Sequence, residues 1–244
     1  MREILADLVA EQQGLDQSLQ RAPDRDWKKR IAAGGPTVVQ TIARLSWGEQ
    51  HAARLLQGDK KVIKEVEGYD DCDAFHQAGM DLAKGKRPQE VIEAWRFARA
   101  DVVDALSRLK SEDMVPWFGG KIKARTFATI RLAETWAQGL GILTTLDKEI
   151  VEHPRLVHVA WLGWATLPHA FADKGLAYPK PVRVELVGPG YARWVFGPDG
   201  APDVIRGQGV DWCRLAAGHT TKPGSLIATG DVAQQALKSV QIFS

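Results

Sequence analysis

The sequence predicts a mainly α-helical chain with an α+β tail: a four-helix bundle over residues 1–152 and a small α+β domain over 153–244. Three observations lead there. At 244 residues the chain has room for one large domain or two ordinary ones. Its first ~150 residues carry apolar side chains at helical spacing. After Glu152-His153-Pro154 the pattern turns to period two, with short runs divided by Gly and Pro.

Residues 2–21 space Ile4, Leu5, Leu8, Leu15 and Leu19 as one helix face. Pro23 to Pro36 reads as a loop. Thr37 is a plausible N-cap for a helix running from Val38 to about Gln57, with Gly34-Gly35-Pro36 kept outside it. Asp70 to Lys84 forms a shorter accessory helix capped by Asp70 or Asp71. Pro88 suits the first turn of a helix over 88–110, whose stripe is Val91, Ile92, Trp95, Ala98, Val102 and Leu106. A loop containing Pro116-Trp117-Phe118-Gly119-Gly120 leads to the last bundle helix, about 123–146. Residues 155–175 still read as helix, and Tyr178 to Pro181 is a break. Val182–Val187 and Tyr191–Phe196 are paired strands across the Gly188-Pro189-Gly190 turn. Val204–Arg206 is a third strand, 210–217 a short helix and Ser225–Thr229 another strand. Asp231 caps a final helix reaching about Val240.

Charged residues make up 25% of the chain, yet the net charge is only +2. Nothing in that balance suggests a nucleic-acid footprint, which would need a basic stripe or a strongly basic domain. The clusters Asp26-Trp27-Lys28-Lys29-Arg30 and Asp59-Lys60-Lys61 read as solvated turns. Cys72 and Cys213 form no disulfide framework. Neither a signal peptide nor an apolar run of the ~18 residues needed to span a bilayer is visible. The expectation is a cytoplasmic protein without membrane or nucleic-acid partners, monomeric or homodimeric, acting on a small molecule.

Within the last bundle helix, Arg131, Glu134, Gln138 and Gly141 fall at steps of three and four. They make one polar stripe in an otherwise apolar helix. Polar groups facing a core cost several kcal/mol (roughly 2–7) unless satisfied, so they either satisfy each other or serve a ligand. Arg44, on the earlier helix, is expected to face this stripe. Trp47 and Trp136, two of nine tryptophans, are expected to wall the cavity between them. His51, seven residues beyond Arg44, is a candidate general base or displaced metal ligand, or an ordinary partly exposed histidine. His76 reads as a surface residue, and His153, His158 and His169 lack ligand spacing. Cys213 reads as a buried, inert thiol. No nucleophile elbow or phosphate loop is present.

Gly35-Pro36-Thr37-Val38 leading into Ala43-Arg44-Leu45, together with Arg131-Leu132-Ala133-Glu134-Thr135-Trp136-Ala137-Gln138-Gly139, resembles the DinB-like superfamily, in particular the N-terminal domain of mycothiol-dependent maleylpyruvate isomerase. Val182–Leu186, Trp194–Pro198 and Val210–Arg214 resemble the small domain appended in actinobacterial relatives. The resemblance implies a divalent metal, zinc or nickel, held by three side chains from two bundle helices. This chain departs from that pattern: Arg44 stands where a His is expected, Gln138 where another is, and Glu134 alone remains. Zinc usually takes at least three His, Cys or carboxylate ligands, and Arg offers no lone pair.

The resulting expectation is a metal-free site in which Arg44 pairs with Glu134, either plugging a dead site or lining a live one. Glu134, Arg44 and Gln138 would be catalytic, with Trp47, His51, Arg131 and Trp136 binding substrate. The reading is an isomerase, cyclase or lyase using acid–base chemistry on a carbonyl compound, by analogy in bacterial specialised metabolism, with no cofactor. Two alternatives stand beside it. One is a non-catalytic binder of a small ligand; the other is a metal- and mycothiol-dependent isomerase or thiol transferase.

Overall fold

Thr37 opens the helix that carries most of the candidate site, and it does so with a reciprocal cap. Its Oγ1 accepts the Gln40 N–H at 3.4 Å, while Gln40 Oε1 accepts the Thr37 N–H at 2.9 Å. The computed structural model describes residues 1–117 and 120–243. They divide into two compact units, Met1–Ile150 and Val151–Ser244.

In the first unit four long helices, α1 (Arg2–Leu19), α3 (Val38–Leu56), α6 (Pro88–Ser107) and α7 (Ala124–Thr145), form the bundle. α3 packs along α6 and α1 along α7; α1 with α6, and α3 with α7, close the ring. Pro88 sits in the first turn of α6, where its missing N–H has no role. The core gathers Leu15, Trp27, Ile42, Leu45, Trp95 and Ile142. Each such side chain contributes about 1.5–3 kcal/mol on burial.

Three short helices depart from or refine the sequence reading. α2 (Asp24–Trp27) interrupts the expected loop and buries Trp27, whose indole N–H reaches the Ala22 carbonyl at 3.3 Å. α4 (Lys61–Glu67) follows directly on the expected turn at Asp59-Lys60, and Val62 is its buried residue. α5 (Cys72–Asp81) is capped by Asp71, whose Oδ1 accepts the Ala74 N–H at 2.7 Å, and it packs on α3. The expected loop before the last bundle helix is instead an antiparallel hairpin, β1 (Met114–Trp117) with β2 (Gly120–Lys123). Val115 opposite Ile122 supplies its apolar pair. Phe118 and Gly119 of that loop lie outside the described residues.

In the second unit the predicted helix over 155–175 divides into α8 (Leu156–Ala165) and α9 (Leu167–Ala172). Pro168 cannot continue a helix but can sit in the first turn of one. A four-stranded mixed sheet follows: β3 (Arg183–Val187), β4 (Arg193–Phe196), β5 (Val204–Gln208) and β6 (Ile227–Thr229), in the order β4-β3-β5-β6. The β3–β4 and β5–β6 pairs are antiparallel and β3–β5 is parallel. α10 (Gly209–Ala216) packs on α8. There the Trp212 indole donates to the Ala160 carbonyl at 2.9 Å. Gly163 allows that approach, since a Cβ there would lie 2.9 Å from Ala216 Cβ. Cys213 is fully buried, and burial pushes its thiol far up. α11 (Asp231–Ser239) is capped by Asp203 rather than by the expected Asp231. Asp203 Oδ1 accepts the Val232 and Ala233 N–H groups at 2.8 and 3.2 Å. Among the described residues no helix is long and apolar enough to cross a membrane.

Candidate functional site

The polar stripe of α7 does face α3, but the partners differ from those expected. Arg131, not Arg44, is the cation that Glu134 binds directly, through Nη1 at 2.5 Å. The Arg131 Nε–H goes across to Oε2 of Glu49 on α3 at 3.1 Å. Glu49 is 0% exposed, and its other oxygen accepts the Gln12 carboxamide of α1 at 3.3 Å. A chain of polar contacts thus crosses the bundle core from Gln12 through Glu49 and Arg131 to Glu134. Burial pushes the Glu49 carboxyl up, and Arg131 offsets this only in part. Burial also works against the Arg131 charge, but the Glu134 and Glu49 carboxylates outweigh it, so this guanidinium is held as a fixed cation. Arg131 Nη2 is buried with no hydrogen-bond partner.

Gly48 leaves room for the ends of the Arg131 and Glu134 side chains. A Cβ there would sit 3.2 Å from Arg131 Nη2 and 3.5 Å from Glu134 Oε1. Glu49 and Gly48 are adjacent on α3, one supplying the charge and the other the space. Sequence reasoning passed over both. A glutamate one position from a glycine, on the apolar face of a helix that carries Arg44, was the signal available.

Arg44 turns to α5 instead. Its Nη2 lies 3.4 Å from Nε2 of His76. A guanidinium can only donate, so Nε2 accepts and the imidazole proton is on Nδ1. His76 is half-buried rather than a surface residue. Burial, reinforced by the Arg44 charge, holds its pKa below the ordinary histidine value, which leaves it neutral at pH 7. Burial likewise lowers the pKa of Arg44, with Glu134 and then Asp73 acting in the opposite sense. Glu134 is therefore an electrostatic neighbour of Arg44, not its bonded partner. Arg44 Nε and the Trp47 indole nitrogen are both buried with no hydrogen-bond partner.

Trp47 is walled in by α5. Gly79 comes so close that a Cβ on it would meet Trp47 Cβ at 2.8 Å. His51 is buried, its ring 4.1 Å from that of Trp47 and edge-on to it, with Phe75 packed on both. His51 Nδ1 donates to the Trp47 carbonyl at 2.9 Å. The charges it senses are Arg54 and Glu65, and burial lowers its pKa. A displaced metal site joining His51 to Glu134 has no support in this arrangement. Gln138 lies half-buried one turn beyond Glu134. Trp136 is buried, but two residues from Glu134 it falls nearly on the opposite side of α7, so it does not share the Glu134 face.

Residues 8–142 match the family described as "Mycothiol maleylpyruvate isomerase N-terminal domain". The chain belongs to that family. An uncharacterized protein of Mycobacterium tuberculosis, in strains CDC 1551 / Oshkosh and ATCC 25618 / H37Rv, is 29% identical over 98% of this chain and 95% of its own. Crystal structures of the mycothiol-dependent maleylpyruvate isomerase and of a mutant of it superpose with a TM-score of 0.60. They share 15% identity, over 93% of this chain and 92% of theirs. That likeness extends the shared fold of the maleylpyruvate isomerase family beyond the bundle.

The metal that the family resemblance implies does not fit the donors present in this maleylpyruvate isomerase family member. Among the described residues no group of three or more His, Cys, Asp or Glu could hold a metal ion. Arg44 brings a positive charge without a lone pair, and the carboxylate that acts on it most strongly, Glu134, is already engaged by Arg131.

Proposed function

We propose that this chain is an isomerase-type enzyme that acts on a small, carbonyl-bearing carboxylate at the α3–α5–α7 site, with a thiol cosubstrate of the mycothiol kind. Family membership and the mycothiol-dependent isomerases of the same fold support the reaction class. One structural observation carries the substrate class. Arg44 has a buried, unpartnered Nε and a half-engaged Nη2, next to a neutral histidine. An incoming carboxylate fits that guanidinium in bidentate fashion. Mycothiol, when bound, supplies a nucleophilic sulfur, and Arg44 is the cation that would stabilise a thiolate or the substrate anion. Where a carboxylate takes Nη2 from His76, the Nε2 lone pair is released to accept a proton and later return it. Trp47 and Phe75 form an apolar wall that keeps water away and strengthens those charge interactions.

The test is isomerisation of maleylpyruvate by the purified protein, with and without mycothiol, alongside tryptophan quenching by the same substrate. The expected result is thiol-dependent turnover and saturable quenching, with both reduced at least tenfold by Arg44→Gln. Turnover and quenching that ignore Arg44→Gln would sink the assignment.

A second reading, a binder without turnover, is favoured by one observation. Arg131 Nη1 already occupies Oε2 of Glu134 at 2.5 Å. Glu134→Gln separates the two: turnover lost with binding kept marks an enzyme that uses this carboxylate.

A further inference from the structure

A cleft of about 410 Å³ opens between α1 and α6, and Arg44 is not among the residues that line it. That volume lies in the range of small-molecule sites. Its walls include Val9, Ala100 and Val103, and its polar groups include Arg96, Arg99 and Gln12. Arg96 and Arg99 share one carboxylate. Arg96 spans both oxygens of Asp16, and Arg99 Nη2 takes the second oxygen at 2.5 Å. Asp104, also on the wall, is paired with Arg108 at 2.6 Å. The Arg96–Arg99–Asp16 group therefore carries one positive charge in excess. Arg99 bears it in a strained electrostatic setting: its guanidinium lies 4.5 Å over the Trp95 ring and its Nη1 is buried with no partner. Burial lowers its pKa and Asp16 makes good only part of that loss.

We propose that the α1–α6 cleft is a binding site for a small organic monocarboxylate with an apolar body. Two lining guanidiniums that grip only one carboxylate between them match one further carboxylate, and the valine and alanine walls match the body behind it. A phosphate dianion would leave a charge unpaired there, at a cost the apolar walls cannot offset. Gln12 adds a consequence, because it lines the cleft and also donates to Glu49. An occupant would touch one end of the contact chain that finishes at Glu134.

The experiment is saturation-transfer NMR with benzoate as probe and benzamide as its neutral control, on the full chain. Benzoate is expected to bind saturably and benzamide at least tenfold more weakly. Arg99→Gln should weaken benzoate at least tenfold, and Val103→Trp, which fills the cleft without altering charge, should abolish it. Arg44→Gln should leave it unchanged, so that loss of the α3–α5–α7 assignment does not touch this one. Circular dichroism checks each variant; where Arg99→Gln fails to fold, Val103→Trp decides. Absent binding, equal binding of benzamide, indifference to the cleft variants, or loss in Arg44→Gln overturns the proposal.

Discussion

The fully buried carboxylate of Glu49 accepts the Nε–H of Arg131 at 3.1 Å, joining α3 to α7 through the bundle core. This pair holds Arg131 so that its Nη1 meets Glu134, so Glu49 positions the site carboxylate without touching a substrate. Removing one member of a buried pair leaves the other charge uncompensated. Glu49→Ala should therefore destabilise the protein by about 3–5 kcal/mol, whereas Glu49→Gln, which keeps a hydrogen-bond acceptor for Arg131, should lose less. Urea unfolding at pH 7 measures both. Equal midpoints for wild type and Glu49→Ala would show that the pair contributes nothing.

Histidine titration gives a second expectation. His76 has a folded-state pKa below its ordinary value, because burial and then Arg44 disfavour the charged ring. As pH falls through 6.5 the unfolded chain takes up a proton that the folded chain refuses. Stability is then lost on acidification, beginning near the ordinary pKa and ceasing once the pH is below the folded one. His76→Asn should flatten the fall in Tm between pH 7.5 and 5 (roughly the histidine window). His51, lowered by its own burial, keeps its share of the slope in that variant. An unchanged slope in His76→Asn would show that burial and Arg44 together do not hold the His76 pKa down.

Much of this was readable in the residues alone. The α7 stripe was legible because steps of three and four are a local property, as were the Thr37 cap and the alternation of Val182–Val187. What escaped were pairings between elements distant in sequence. Arg44 and Glu134 face one another in charge, yet Arg131 is three residues from Glu134 and reaches it first. His76 looked like surface because periodicity cannot show that α5 folds back on α3. Asp203 caps α11 from 28 residues before the helix begins, a contact that no local cap signal encodes. The β1–β2 hairpin was hidden because four-residue strands carry too short an alternation to separate from loop.

The donor chemistry at positions 44 and 138 makes a third expectation. The purified protein should carry zinc or nickel at well below one equivalent by elemental analysis. Arg44→His combined with Gln138→His removes the fixed cation and places two imidazoles beside Glu134, which completes a three-ligand set of the kind zinc accepts. That double variant should bind about one equivalent of zinc, seen by equilibrium dialysis, provided Glu134 is presented as the structure has it. Stoichiometric metal in the unaltered protein would show that Arg44 does not exclude it.

Gly79 tests whether α5 is part of the site or merely adjacent to it. A Cβ on Gly79 would meet Trp47 at 2.8 Å from Cβ and 2.9 Å from Cγ. The indole cannot swing aside, because its Cβ is fixed to α3 and His51 and Phe75 pack on the ring. In an open helix Gly→Ala stabilises by about 1 kcal/mol through propensity. Here the overpacking cost of about 1–3 kcal/mol should exceed that gain. Gly79→Ala should therefore lower the unfolding midpoint. It should also move His76 away from Arg44, which raises the His76 pKa toward its ordinary value and can be followed by NMR titration of the ring protons. A gain in stability with the His76 titration unmoved would mean that α5 does not press on Trp47.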